Sequence, residues 1–172
     1  IESLQKNIEL TKYQKLNLTK IETQLIYSYT ASNSCWINSE LRKFGQNKCE
    51  CKSKVSNLIN LGLNKIPSFS SEIVYRMEPD NIYETKEVKD WYNNNIGRKI
   101  FAPFFLSTSK ENWKNREIII KINTSPKSKG RNLSEIGIDT SEKEVLFNTN
   151  TLFEIINVNE KYIELNEVSE PY

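Results

Sequence analysis

The chain has 172 residues, of which 37% are hydrophobic and 27% charged, and its formal net charge is +2. This length suits one domain with a sizeable core, so residues 1–172 are predicted to form a single domain. The small net charge argues against a nucleic-acid partner, and no apolar run approaches the roughly 20 residues that a membrane span needs.

Histidine is absent and cysteine occurs three times, and both counts limit the chemistry. Without histidine, Ser–His, Cys–His and His–metal mechanisms are excluded, which leaves carboxylates, hydroxyls, Arg and Lys. Cys49 and Cys51 are too close for an unstrained mutual disulfide, whereas Cys35 could pair with either of them. The alternatives are free or buried thiols and a zinc site, and no metal is expected because no histidine or second cysteine pair completes the ligands.

The first third of the chain has the apolar spacing of helices. Apolar residues recur up to residue 26 without Gly or Pro. A polar break at residues 30–34 precedes a second helix that is predicted to end near Gly45, and a third helix is predicted before Pro67. Residues 1–66 are therefore predicted to be mainly helical.

Beyond Pro67 the pattern changes to short runs that are typical of strands. The runs are residues 73–76, 100–101, 104–107, 118–122, 145–147, 152–158 and 162–165. A helix is predicted at residues 85–92 and a surface loop at residues 125–134. Helices first and strands afterwards indicate an α+β domain, with residues 67–172 mainly β and the N-terminal helices packed on an antiparallel or mixed sheet.

Two polar features follow predicted strands. Arg76 ends the first strand, where a guanidinium can bind phosphate through two hydrogen bonds, although a surface salt bridge is the simpler interpretation. Ser107, Thr108 and Ser109 form a hydroxyl cluster after an apolar run. Their alternative role is to cap a following helix.

A pair of carboxylates stands at the start of the run 145–147. If Glu144 begins a strand, alternation places Glu142 and Glu144 on the same side, whereas the alternative is a solvated acidic turn. Two acids, one cationic anchor and a hydroxyl cluster together suggest an anionic ligand and a transition state that develops positive charge.

The order of these features resembles the arginine–serine–glutamate class of mono-ADP-ribosyltransferases, the type of clostridial binary toxins and vertebrate ecto-enzymes. Residues 57–67 resemble the helix that leads into the arginine strand of that family. Its helical segment is matched by Tyr29, Thr30, Ile37, Asn38, Leu41 and Arg42. The resemblance covers roughly residues 25–158, and it implies N-terminal helices packed on a two-sheet β-sandwich that encloses an NAD cleft.

The resemblance also implies roles for individual residues. Arg76 would hold the NAD phosphates, and Ser107 would contact the ribose and orient the catalytic acid. Glu144 would bind the ribose 2′-hydroxyl, and Glu142 would handle the acceptor, because glutamate at this position accompanies arginine as acceptor in the family. The other implied NAD contacts are Tyr75, Thr108, Ser109 and Trp113.

These residue types suit the chemistry. Breaking the nicotinamide–ribose bond leaves an oxocarbenium-like sugar, which a fixed carboxylate at Glu144 would stabilise more than the ground state. A second carboxylate at Glu142 could hold a guanidinium acceptor and accept a proton from it.

Two loops complete the resemblance. Ile136 and Ile138 fall in the place of a loop that contacts the protein substrate, so they are either recognition contacts or tucked-in hydrophobes. Trp113 falls in the place of the phosphate–nicotinamide loop, where it would either stack on nicotinamide or anchor the loop. Met77 replaces a glycine that is frequent after the family's arginine, so the local turn and the NAD affinity are expected to differ.

The expected function is transfer of ADP-ribose from NAD to an arginine of a target protein with release of nicotinamide, a glycosyltransferase reaction. NAD would be the co-substrate and no metal would take part. We expect a bacterial toxin or effector that is secreted or translocated and acts in the cytosol of a target cell, with an immunity or activator protein as a further candidate partner. The alternatives are an NAD glycohydrolase and a non-catalytic NAD-binding interaction module.

Overall fold

The computed structural model describes residues 16–43, 50–78, 85–112, 116–134, 136–137 and 139–169. Within these ranges the chain forms four α-helices and eight strands. The helices are α1 (Lys20–Ser28), α2 (Ser34–Leu41), α3 (Glu50–Leu63) and α4 (Thr85–Asn93). The strands are β1 (Ile73–Met77), β2 (Lys99–Ala102), β3 (Leu106–Ser109), β4 (Ile119–Asn123), β5 (Gly130–Asn132), β6 (Glu144–Phe147), β7 (Thr151–Val158) and β8 (Ile163–Glu167).

The first two helices are joined without a loop. Helix α1 begins at a capping box, in which the Thr19 hydroxyl accepts from the Glu22 amide at 3.2 Å and the Glu22 carboxylate accepts from the Thr19 amide at 2.7 Å. The predicted break at residues 30–34 is wrong, because a π-helical turn, Tyr29–Asn33, continues the helix into α2. The wider turn accommodates the polar segment within the helix.

The strands form one mixed sheet in the order β2-β7-β8-β4-β1-β3-β6-β5. Neighbours are antiparallel except for β4 and β8, which are parallel. All seven predicted strands are present, within one or two residues at their ends. The eighth, β5, lies in the predicted loop at residues 125–134, and its three residues contain no apolar side chain that would have marked it as a strand.

The sheet folds over on itself. Phe147 in β6 and Phe153 in β7 lie in opposite halves of the strand order, yet their ring centroids are 5.4 Å apart. The two halves therefore enclose a shared apolar core, as the two layers of a sandwich do. This core includes Val74, Leu106, Ile122, Val145, Phe147, Phe153, Ile155 and Leu165.

A second core lies between the helices and the β3–β6 half of the sheet. It includes Ile26, Tyr29, Ile37, Ile59, Leu63, Phe105, Leu133, Ile136 and Leu146. Helices α1 and α3 approach closely at Gly62, where an added Cβ would lie 3.0 Å from the Ile26 side chain. The α+β class, with N-terminal helices packed on the sheet, is confirmed. Strand β6, between the two cores, is buried along its whole length.

The structure also bears on the thiols. Cys35 and Cys51 are exposed and free, so a disulfide between them is not formed. Cys49 lies outside the described residues. Among the helices that the structure describes, none is long and apolar enough to cross a membrane.

Candidate active site

Arg76 is held on two sides at the end of β1. Its Nη1 donates to the carbonyl oxygen of Ser107 at 2.9 Å, and its Nε and Nη2 donate to the two carboxylate oxygens of Glu78 at 2.5 Å and 3.3 Å. The bond to Ser107 crosses from β1 to β3, two strands that pair at the single register position Tyr75–Ser109. Arg76 is therefore a side-chain cross-link between β1 and β3.

Ser107 connects Arg76 to Glu144. While its carbonyl accepts from Arg76, its hydroxyl donates to Glu144 Oε1 at 2.6 Å. Glu144 is the first residue of β6 and is only 7% exposed. Burial raises the pKa of Glu144, the hydrogen bond from Ser107 opposes the rise, and the negative charge of Glu142 adds to it. Three of the sequence-predicted residues thus form one continuous hydrogen-bonded chain.

The other two hydroxyls of the cluster bond within the protein. Thr108 Oγ1 donates to the Val145 carbonyl at 2.7 Å, which ties β3 to β6. Ser109 Oγ donates to the Glu142 carbonyl at 2.8 Å and accepts from the Glu111 amide at 3.0 Å. Both residues are about 5% exposed. A direct role for Thr108 and Ser109 in NAD binding stays a prediction.

Glu142 lies outside the strand that begins at Glu144. It is exposed and ends a 3₁₀ turn, Thr140–Glu142, and the next residue, Lys143, has a left-handed φ of 47°. Strand alternation therefore does not set the direction of Glu142. The prediction that alternation places Glu142 and Glu144 on the same side does not apply to this turn. The two carboxylates nevertheless interact electrostatically, because the negative charge of Glu142 contributes to the raised pKa of Glu144.

The remaining candidates are dispersed. Tyr75 lies on the opposite face of β1 from Arg76, by strand alternation, with its ring centroid 6.2 Å from that of Tyr162. Ile136 is 6% exposed and packs in the helix-side core, which matches the tucked-in alternative. Trp113 and Ile138 lie outside the described residues, so their implied roles stay predictions.

A cavity of about 280 Å³ is lined by Arg42, a residue to which the sequence motifs assign no functional role. Arg42 lines this cavity together with Arg76 and Glu78, and its guanidinium carbon lies 4.3 Å from the centroid of the Phe104 ring. The apolar walls include Tyr92, Ile100, Phe101, Phe104, Leu106 and Phe153. The available signal was the position of Arg42 at the end of the helical segment that carries the family resemblance.

That helical segment also fixes the start of β3. Asn38 Nδ2 donates to the Phe105 carbonyl and to the Tyr29 hydroxyl, both at 3.0 Å, and its Oδ1 accepts from the Phe105 amide at 3.2 Å. Burial raises the pKa of Tyr29, and the charge of Glu144 adds to the rise, so this cluster lies near the catalytic carboxylate candidate. Asn38 therefore holds the backbone two residues before Ser107.

The arrangement suits a defined chemistry. Two arginines that line one cavity favour a ligand with phosphate groups, because guanidinium forms charge-assisted hydrogen bonds with phosphate oxygens. A buried carboxylate at Glu144, fixed by a hydroxyl, favours a reaction that develops positive charge beside it. These are the groups that splitting a nucleotide's glycosidic bond requires.

Comparison with known proteins identifies the family. The family model described as ADP-ribosyltransferase exoenzyme matches residues 6–169. The chain therefore belongs to the ADP-ribosyltransferase exoenzyme family, whose members are toxin-type transferases that use NAD as co-substrate. The resemblance drawn from the sequence is confirmed.

Solved structures agree on the fold. The C3 exoenzyme of Clostridium limosum has a TM-score of 0.76 and 22% identity, over 92% of this chain and 90% of that one. Plx2a, an ADP-ribosyltransferase toxin from Paenibacillus larvae, has a TM-score of 0.73 and 23% identity over the same shares. The ADP-ribosyltransferase Vis, solved in complex with agmatine, has a TM-score of 0.66 and 16% identity, over 94% of this chain and 86% of that one. A search of curated proteins found no match.

Proposed function

We propose that the protein transfers a single ADP-ribose from NAD to an arginine side chain of a target protein and releases nicotinamide. The observation that carries this proposal is the hydrogen-bonded chain from Arg76 through Ser107 to Glu144. It joins a group suited to binding phosphate, on β1, to a carboxylate on β6, across the intervening strand β3. Residues 1–172 would act as one catalytic domain of a secreted or translocated toxin or effector, which the toxin-type family supports.

In this proposal the two arginines bind and the serine orients. Arg42 and Arg76 hold the two phosphates of NAD from one side of the cavity that they line. Ser107 fixes the Glu144 carboxylate through its hydroxyl. Glu144 then stabilises the positive charge that develops on the ribose as the bond to nicotinamide breaks.

Glu142 is proposed to select arginine as the acceptor. Its exposed carboxylate beside Glu144 can bind a guanidinium through two hydrogen bonds and accept the proton that the attacking nitrogen loses. The similar fold of Vis, which was solved with the guanidinium compound agmatine, supports the proposal at the level of the fold.

The test is release of nicotinamide from labelled NAD, with and without agmatine, by the wild type and by Glu142→Gln. We expect the wild type to label agmatine. Glu142→Gln should lose this transfer while water still cleaves NAD. The matched control is Glu160→Gln, an exposed glutamate in a bend before β8, which should behave like the wild type.

Other outcomes would identify the alternatives. Release of nicotinamide without any labelled agmatine would indicate a glycohydrolase. Binding of NAD without release of nicotinamide would indicate a non-catalytic module. Transfer that survives in Glu142→Gln would remove Glu142 from acceptor selection.

A further inference from the structure

Glu78 makes the closest contact of Arg76, and the proposed reaction leaves it without a role. Its two oxygens accept from Nε and Nη2 of Arg76, and the two side chains are 32% and 24% exposed. A two-point bond between two planar groups fixes the rotation of the guanidinium, which a single contact cannot do.

The contact with Glu78 leaves some N–H groups of Arg76 available to a ligand. A guanidinium has five N–H groups. Glu78 takes the one on Nε and one on Nη2, and the Ser107 carbonyl takes one on Nη1. Among the described residues, no group accepts from the second N–H of either terminal nitrogen. A second planar or tetrahedral anion can therefore accept from these two N–H groups while Glu78 stays in place.

We propose that Glu78 is a positioning residue for NAD: it holds Arg76 so that its two remaining N–H groups receive a phosphate in the cavity shared with Arg42. The identity of the ligand as NAD rests on the proposed function, whereas the contact between Glu78 and Arg76 does not depend on it. Glu78, Arg76 and Arg42 all line this cavity. Holding Arg76 in one rotamer before binding removes part of the entropy cost of ordering it afterwards.

The same contact also reaches the catalytic carboxylate candidate. Arg76 cross-links β1 to the carbonyl of Ser107, and the hydroxyl of Ser107 bonds Glu144. Release of Arg76 from Glu78 would loosen the first of these bonds. Glu78 is therefore expected to affect NAD binding strongly and the chemical step weakly.

A different role for Glu78 predicts the opposite change in NAD affinity. A carboxylate beside a phosphate site repels the ligand, so a Glu78 that merely occupied Arg76 would have to be displaced by NAD. Its removal would then tighten binding, whereas removal of a positioning residue weakens it. The sign of the change in NAD affinity separates the two accounts.

The experiment measures the Kd for NAD by calorimetry, and kcat and KM for nicotinamide release, in the wild type, Glu78→Ala and Glu78→Gln. For Glu78→Ala we expect Kd and KM to rise about tenfold with a smaller change in kcat, because the lost interaction acts mainly on binding. For Glu78→Gln, Kd and KM should lie between the values of the wild type and Glu78→Ala, since its amide oxygen still accepts from Nε. The matched control is Glu164→Ala, which removes a strand glutamate paired with Lys121 at 3.7 Å and should keep wild-type values.

A double-mutant cycle excludes a merely structural effect. Arg76→Lys cannot make the two-point contact, so adding Glu78→Ala to it should cost little more, whereas additive losses would overturn the proposal. Tighter NAD binding by Glu78→Ala would overturn it as well. If the wild type binds NAD and both Glu78 variants bind equally well, only this inference falls. If the wild type binds no NAD, the proposed function falls and the inference with it.

Discussion

Two carboxylates that are two residues apart are held in different ways. Glu144 is 7% exposed, lies in a strand that is paired on both sides and accepts a hydrogen bond from Ser107. Glu142 is exposed and ends a short turn that Ser109 anchors through a backbone carbonyl. The sheet thus carries the group that would act identically in every reaction cycle, and the turn carries the group that would meet a variable acceptor.

The two sites also differ in what they cost the fold. Burial raises the pKa of Glu144, so its ionised form is disfavoured in the folded protein. An exposed carboxylate such as Glu142 has no comparable desolvation cost. Perturbed carboxylates of this kind cluster at functional sites, which supports the proposal that Glu144 acts in the chemical step.

The largest effect is expected from Glu144→Gln. Removing the charge that Glu144 is proposed to hold beside the developing cation should slow nicotinamide release about a thousandfold, with agmatine or with water as acceptor. The measurement is a single-turnover assay with labelled NAD. Residual activity above a tenth of the wild type would contradict the division between the two carboxylates.

The control for this variant is its stability, and the sign can be worked out. The folded pKa of Glu144 is raised above the unfolded value, so ionisation costs stability as the pH rises through the folded pKa. Glu144→Gln should therefore unfold at the same or a higher temperature than the wild type at neutral pH. Its advantage should vanish below the usual glutamate pKa of about 4.3.

Asn38→Ala should have the next largest effect, because it weakens the support of the start of β3, the strand that carries Ser107. It removes the partner of the Phe105 amide and the shorter of the two hydrogen bonds to the Phe105 carbonyl, which keeps the Tyr29 hydroxyl at 3.5 Å. We expect a loss of about 2–3 kcal/mol in the free energy of unfolding, measured with urea. The control is Asn33→Ala. Asn33 ends the π-helical turn before α2, and its substitution removes an exposed hydrogen bond to Ser28, so it should cost far less.

Ser107→Ala should act on the pH dependence. The hydrogen bond from Ser107 lowers the pKa of Glu144, so its loss should raise that pKa further. Since the proposed mechanism uses the ionised carboxylate, the acidic limb of kcat/KM should move to higher pH, with a loss of about tenfold at neutral pH. Ser141→Ala, an exposed serine of the 3₁₀ turn, should leave the acidic limb in place.

Much of the fold could be predicted from the sequence because its strands bury one face. The apolar residues that alternate through β7 and β8, together with Val74 in β1, are among those that fill the shared core. Strand β5 escaped prediction because it holds Gly, Arg and Asn, and pairing with β6 at the sheet edge stabilises it instead of side-chain burial. The π-helical turn escaped because its polar residues are typical of a loop.

For the candidate site, the sequence predicted which residues lie together better than it predicted their geometry. The motifs placed Arg76, Ser107 and Glu144 on strands, and pairing of those strands brings the three together. The direction of Glu142 depends on one left-handed residue, Lys143, which no apolar pattern reveals. The contact of Glu78 with Arg76 also depends on side-chain reach beyond the end of a strand.

The smallest effect on stability, and the finest test of the turn, comes from Lys143. Its left-handed φ of 47° costs a non-glycine residue about 1 kcal/mol, which glycine avoids. Lys143→Gly loses the ion pair with Glu111, but both side chains are about half exposed, so that pair contributes little. Glycine's greater freedom in the unfolded chain offsets part of the gain, so the unfolding free energy should change by less than about 1 kcal/mol.

The informative partner of this variant is Lys143→Val, because a β-branched residue does not tolerate the left-handed region. The backbone between the two carboxylates would then change while β6 keeps its pairing with β3. Transfer to agmatine should fall in Lys143→Val and persist in Lys143→Gly, and nicotinamide release to water should persist in both. Loss of both reactions in Lys143→Val would mean that the turn also positions Glu144, and the strand-held and turn-held acids would then be one unit.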